Sequence, residues 1–200
     1  MQLHPLPADS HMRWRRLDGA GYEQARIERI TAGWRLRGEL ELVEVGERAR
    51  LRYAIECDPA WLTLAARVEG EVGSRPLRFA LAADAQGHWT CNGAAAPELD
   101  GALDLDLAFT PATNLLPIRR LALSVGASAS VRSAWLRFPQ LRLEPLEQSY
   151  TRASERAFRY RAMVDGEEFS ALLEVDACGR VLRYEGLWEA ESAASPRPER

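Results

Sequence analysis

Most of the chain alternates apolar and polar residues, the period-two pattern of a strand that buries one face. Trp34, Leu36, Leu40 and Leu42 fall on one face of such a segment, with Arg35, Arg37, Glu39 and Glu41 on the other. After a turn at Gly46-Glu47 the pattern returns through Leu51, Tyr53, Ile55 and Cys57, which predicts a β-hairpin. Asp58-Pro59 interrupts the second strand, because proline lacks a ladder donor and restricts the residue before it. Further strands are predicted over 61–69, around Leu77, Phe79 and Leu81, and over 88–91, 103–109, 119–125, 131–138 and 140–146. Phe158, Tyr160, Ala162 and Val164 run into Asp165-Gly166, a strong hairpin signal, and Phe169, Ala171, Leu173 and Val175 come back from it. A last strand follows over 180–187. Helical signals are confined to 17–30 and 147–157, each read as a short turn at most.

Ten or more short strands with short connections predict a mainly β, antiparallel fold, a sandwich or barrel that protects its sheet edges by closure or capping. Two hundred residues suit one large all-β domain. That domain is expected over 1–188, followed by a disordered tail over 189–200, where Glu, Ser, Ala and Pro dominate.

Composition narrows the function classes. The net charge is −3 with both signs interleaved, so no broad field draws a phosphate backbone and nucleic acid is not an expected partner. All 26 basic residues are arginine, a preference that either bidentate anion recognition or a GC-rich gene would produce. No apolar segment of secretory or membrane-spanning length occurs, and a cytoplasmic location is expected. Cys57, Cys91 and Cys178 are odd in number and widely spaced, and His4, His11 and His88 lie far apart, so neither a disulfide framework nor a metal site is expected. With no phosphate-cradling glycine loop either, no cofactor is expected.

The chemistry-bearing candidates cluster between Asp100 and Leu121. Asp104 and Asp106, two apart on a strand, share a face; they are either a solvated row opposite Leu103, Leu105, Leu107 and Phe109, or the lining of a cavity if the sheet curls. Thr110 to Arg120 carries two prolines and backbone-bonding Thr and Asn residues, which predicts a rigid connection. Arg119 and Arg120, read as strand residues, would face opposite ways, one of them able to pair with an aspartate or an anionic headgroup.

These residues resemble the signature of a bacterial family labelled glycolipid-binding, formerly a domain of unknown function. The resemblance rests on Asp100-Gly101-x-x-Asp104-x-Asp106 and on Thr110-Pro111-x-Thr113-Asn114-x-Leu116-Pro117-Ile118-Arg119-Arg120-Leu121. Supporting matches run from Trp14-Arg15-Arg16 through Asp58, Trp61-x-Thr63 and Gly87-x-Trp89 to Val175-Asp176-x-x-Gly179 and Tyr184. Ala102, Ala112, Leu115 and Leu64 depart from it. The resemblance implies a curved, partly open β-barrel like the bacterial lipoprotein carriers, with an apolar interior for a lipid.

Aromatic residues spread over many strands serve as core or as the wall of a ligand cavity. Trp34, Tyr53, Trp61, Phe79, Trp135 and Tyr160 form the candidate lining, with Asp104, Asp106, Asn114 and Arg119 at the mouth. The leading expectation is non-catalytic binding of an amphipathic molecule of glycolipid type, its acyl chain against the walls and its head met by the polar mouth. Two alternatives stand beside it. One is an enzyme acting on a sugar or lipid with Asp104 or Asp106 as acid or base and Arg119 as anion partner. The other is a scaffold using a sheet surface.

Overall fold

The computed structural model of the chain describes residues 3–84 and 86–191. Its first half is a meander of β1 (Asp9–Arg16), β2 (Gly21–Ile30), β3 (Gly33–Glu44), β4 (Glu47–Cys57), β5 (Thr63–Val72), β6 (Arg75–Ala83), β7 (Trp89–Cys91) and β8 (Ala94–Ala95). A short strand β9 (Asp104–Leu107) and one helix α1 (Leu115–Leu121) follow. The second half is β10 (Ser128–Arg137), β11 (Arg142–Ser154), β12 (Ala157–Val164), β13 (Glu167–Val175), β14 (Val181–Tyr184) and β15 (Trp188–Ala190).

All fifteen strands belong to one sheet in the order β8 to β1, then β15 down to β9. Each meander joins sequence neighbours, and the two halves meet where the terminal strands β1 and β15 pair antiparallel, Trp14 opposite Ala190 and Arg16 opposite Trp188. The domain boundary expected at 188 therefore falls inside a strand; residues 192–200, most of the expected tail, lie outside the described residues.

Both strong hairpin signals are realised. Val45 and Gly46 connect β3 to β4 with φ of 50° and 78°, and Asp165 and Gly166 connect β12 to β13 with φ of 53° and 84°. Positive φ at both loop positions matches the strand twist, which is why a two-residue connection suffices.

The sheet does not close, and its two free edges are β8 and β9. β9 lies parallel to β10, a pairing that needs a crossover, and α1 provides it. The edge amides of β9 are not left bare. Leu105 N–H donates to Thr63 Oγ1 at 3.1 Å and Leu107 N–H to Thr113 Oγ1 at 3.4 Å, while Thr63 N–H reaches the Leu103 carbonyl at 3.1 Å. The start of β5 thus meets the β9 edge, and the sheet rolls into the curved, partly open barrel expected.

Several local expectations are corrected. Residues 119–125 were read as a strand, but Arg119 and Arg120 end helix α1. Leu115, Leu116 and Ile118 bury one side of that helix, and Pro117 is tolerated because it sits in the first turn, where its missing N–H has no intrahelical partner. The helical readings of 17–30 and 147–157 give way to β2 and to the 13-residue β11. In β2 the inward row Glu23, Ala25 and Ile27 contains a carboxylate, which hides the strand's alternation.

Two buried indole N–H groups find carbonyl partners within this core. Trp14 Nε1 donates to the Val181 carbonyl at 2.8 Å across the two halves, and Trp89 Nε1 donates to Ala102 at 2.9 Å. Replacing Thr63 by Val keeps the shape but leaves the Leu105 amide without its acceptor, so Thr63→Val is expected to lower stability by about 1–3 kcal/mol. The check is the urea midpoint together with faster hydrogen exchange at Leu105; an unchanged midpoint and exchange rate would show that the seam does not depend on this hydroxyl.

Candidate functional site

The roll of the sheet encloses β9 on both sides. Leu105 and Leu107 are buried as expected, but Asp104 is only 1% exposed and Asp106 is half-buried, so the aspartate row is not a solvated face. Each carboxylate is matched by neutral or cationic donors. Arg120, from the last turn of α1, grips Asp104 with Nη2 at 2.6 Å and Nε at 3.1 Å. Asp106 accepts from the Gln148 amide and, at 3.4 Å, from Thr113 Oγ1. Burial pushes the Asp106 carboxyl up to about 6, against the pull of Gln148 and Thr113 and with a further push from the nearby Asp104 charge. Asp104 is also raised by burial, and Arg120 opposes the rise.

Asp106 faces the second half of the sheet, where it borders a cavity of about 180 Å³. The walls come from alternate residues of neighbouring strands: Trp135 of β10, Tyr160 of β12, Phe169 of β13, Tyr184 of β14 and Trp188 of β15. Tyr160 centres an edge-to-face cluster with Tyr150, Phe169 and Tyr184 at 5.3, 6.0 and 6.1 Å. Phe169 points to the same side as the buried Ala162 it pairs with, yet it is 37% exposed. An inward-facing aromatic left in contact with solvent marks the mouth. Val164 and Leu187, both half-buried, also border the cavity, as does the half-buried Trp135, which lies beside Asp106 in register. Thr110 and Asn114, 4% and 6% exposed, lie at the deep end beside Asp106. Asn114, expected at the mouth, is buried, while Asp106 is half-buried.

The connection after β9 positions this floor. Asn114 Nδ2 donates to the Pro111 carbonyl at 3.2 Å, and Asn114 Oδ1 accepts from the Tyr150 hydroxyl at 2.9 Å. Thr110 Oγ1 donates to Glu23 at 2.7 Å, and the Tyr53 hydroxyl donates to the same carboxyl at 2.5 Å. Gly38 stands opposite Tyr53 on β3, and a Cβ there would come within 2.4 Å of the tyrosine ring, so the ring can lie across β3 toward Glu23 only because that residue is glycine. Glu23 is fully buried, with no cation among its hydrogen-bond partners. Desolvation pushes its carboxyl up to about 7, and the two hydroxyls only partly offset that rise.

Of the ten expected site residues, Asp106, Asn114, Trp135 and Tyr160 come together here. Asp104 points the same way along β9 but is occupied by Arg120 and does not border the cavity. Arg119 is remote from the aspartates: it donates to the carbonyls of His4 and Cys178 and lies over Trp61. Trp61 stacks on Trp34 at 5.0 Å, and Arg29 covers the outer side of Trp34 at 4.9 Å, which makes these aromatics a core stack. Tyr53 is buried in the Glu23 network, and Phe79 packs partly buried on the core of the first half. Sequence reasoning did not place Glu23, Thr110, Gln148, Phe169, Tyr184 or Trp188 at the site, although Thr110 stands in the motif. The aromatic ones share inward alternation with Tyr160, and Glu23 stands on the apolar row of β2.

Two larger hollows, of about 890 and 490 Å³, share Gln24, Glu39, Arg52 and Glu69 and so form one groove along the polar face of the first half. Its charges compensate one another: Glu69 pairs with Arg52 at 2.9 Å and Arg78 at 3.4 Å, and Glu41 with Arg48 and Arg50. It is lined mainly by charged side chains, with Leu40, Leu51, Leu77 and Pro76 between them.

A family model described as "Putative glycolipid-binding" matches residues 11–190. The chain belongs to this family. A crystal structure of a DUF1089 family protein from Pseudomonas aeruginosa is similar, with a TM-score of 0.76 and 31% identity over 84% of this chain and 91% of that one. No curated protein sequence matches the chain. Among the described residues no helix is long and apolar enough to cross a membrane, and no group of His, Cys, Asp and Glu is placed to hold a metal ion. In this member of the glycolipid-binding family the motif between Asp100 and Leu121 builds the floor of the aromatic cavity through Asp106, Thr110 and Asn114, and its two arginines brace it from outside.

The two raised carboxyls give stability a defined pH response. A carboxyl whose folded pKa is raised favours the folded state when protonated, so its contribution is full below its ordinary value and is lost as pH rises through the folded one. For Glu23 the loss runs from 4.5 to about 7, and for Asp106 from 3.8 to about 6. Glu23→Gln should flatten the decline in unfolding free energy, read from urea titrations between pH 5 and 8, by an amount on the order of 3 kcal/mol, and Glu23→Gln/Asp106→Asn should flatten it further. Parallel pH profiles for parent and Glu23→Gln would refute the assignment.

Proposed function

We propose that this protein binds an amphipathic small molecule of the glycolipid class, without chemical conversion, in the cavity between β9 and the second half of the sheet. The observation that carries this reading is the row of inward-facing aromatics that stays partly open to solvent at Phe169 while the opposite end is closed by Asp106 and Asn114. A core built only for stability would bury such a row completely, because each exposed ring forfeits transfer free energy of about 25 cal/mol per Å². The family description points to the same ligand class. A pocket that joins an apolar wall to a few buried polar groups suits a ligand that joins an alkyl chain to a polar head.

Reading the aspartates as an acid and base pair has less support. Asp104 is saturated by a bidentate arginine and does not border the cavity, which leaves Asp106 as a lone carboxylate held by Gln148 and Thr113. Glycoside hydrolysis by the usual route needs two carboxyls facing the same bond.

Native mass spectrometry of the protein purified without detergent tests the proposal: a retained small-molecule adduct is expected. Val164→Trp, which fills the mouth from its rim, should reduce retention at least ten-fold with little change in the thermal midpoint. Failure of the parent protein to retain or bind any amphipath would overturn the reading.

A further inference from the structure

Volume, polarity and charge in the cavity together fix which end of such a ligand it can enclose. Its volume of about 180 Å³ is below the roughly 300–1,000 Å³ of ordinary small-molecule pockets, which suits one ring-sized group or a short alkyl stub better than a long acyl chain. Of its hydrogen-bonding groups Thr110 and Asn114 are buried and Asp106 is half-buried beside them, whereas the exposed Phe169 and the half-buried Val164 and Leu187 are apolar. A chain entering first would press its methyl end onto Asp106 and leave a polar head among those apolar rims. Both contacts cost free energy, because a buried polar group pays for lost hydration unless it is bonded.

The charge at the floor selects further. No arginine or histidine borders the cavity; Arg137 over the Trp135 ring and Arg16 over the Trp188 ring stand behind its walls and are paired with Glu144 and Asp165 and with Asp18 and Glu44, and Arg120 is committed to Asp104. A phosphate, sulfate or carboxylate head would meet the Asp106 carboxylate with nothing to neutralise it. A head that donates hydroxyls would instead find an acceptor in Asp106 and, in Asn114, an amide with one N–H left after its bond to Pro111. The faces and edges of Tyr160, Tyr184 and Trp188 around it suit a ring with C–H faces.

Resting on the binding role proposed above, we infer that the ligand enters polar end first, that the enclosed part is a single uncharged sugar ring held by Asp106 and Asn114, and that the alkyl chain stays at the Phe169 rim.

Four amphipaths with the same chain, each kept below its micelle concentration, separate this from the alternatives by calorimetry: octyl glucoside, octyl phosphate, octyltrimethylammonium and 1-octanol. Octyl glucoside should bind at least ten-fold tighter than each of the other three. Saturation-transfer NMR on the unmodified protein should place the strongest signal on the ring protons and the weakest on the terminal methyl. Asp106→Asn should weaken octyl glucoside at least five-fold and leave 1-octanol unchanged. If Asp106→Asn does not fold, the NMR map on the parent chain still decides the orientation. Equal affinities for the four, preference for the phosphate or the ammonium head, or strongest saturation at the methyl would each overturn the inference and leave amphipath binding intact. Binding of none of them would instead remove the binding role itself.

Discussion

The enclosure of β9 on both faces is the constraint from which the rest of the structure follows. A free sheet edge exposes unpaired amides, and this one is rolled against β5 so that threonine hydroxyls take the Leu105 and Leu107 N–H groups. Rolling the edge inward removes solvent from the alternate row as well, and that row is aspartate. An unpaired buried carboxylate is costly. The fold meets that cost twice with different partners: a bidentate arginine for Asp104, and an amide with a hydroxyl for Asp106. Because the second solution uses no cation, Asp106 keeps acceptor capacity, and the cavity beside it acquires a polar floor.

The segment after β9 links this floor to the first half of the sheet. Thr110 accepts from the Ala112 amide within its own turn and donates to Glu23 on β2, while Asn114 bonds Tyr150 on β11. One short connection therefore spans both meanders, and its rigidity comes from bonds at each end as much as from its prolines. Glu23, Tyr53 and Thr110 form a closed set with no counter-charge, and that arrangement is comfortable when the carboxyl is neutral. Such a network favours one packing of the two halves over sliding alternatives, since any shift strands a buried hydroxyl or carboxyl.

The parts of the fold visible in the sequence are those where one face is wet. Strands β3, β4, β12 and β13 alternate cleanly, and their turn residues accept positive φ, so both hairpins could be read directly. Alternation fails where a strand carries a polar residue on its inward row, as with Glu23 in β2 and Gln148 and Arg152 in β11. It fails also where both rows are enclosed, as in β9. The helix was missed because Leu115 to Leu121 contains a proline and only two turns, too little for a helical period to stand out from a strand's. Four of ten candidate site residues meet in the cavity for a related reason: composition singles out aromatics, but only the pairing of β10 to β15 decides which of them share a wall. Trp34 and Trp61 carried the same signal as Trp135 and Tyr160, and the register of the first half sends them into a stack instead.

The contrast between the two hollows of the molecule shows why size alone does not mark a site. The larger hollow on the first half has about five times the volume, but much of its wall is Arg and Glu on neighbouring strands, whose exposed pairs gain little from one another. The small cavity has the reverse character. It keeps one carboxylate without a cation and several rings without full cover, and both are features that a sequence selected for stability alone would remove by substituting Asn or by filling the mouth. Stability has been given up at the same place twice, once electrostatically at Asp106 and once in unburied aromatic surface at Phe169. A ligand that donates hydrogen bonds below and presents hydrocarbon above would offset both costs in a single contact.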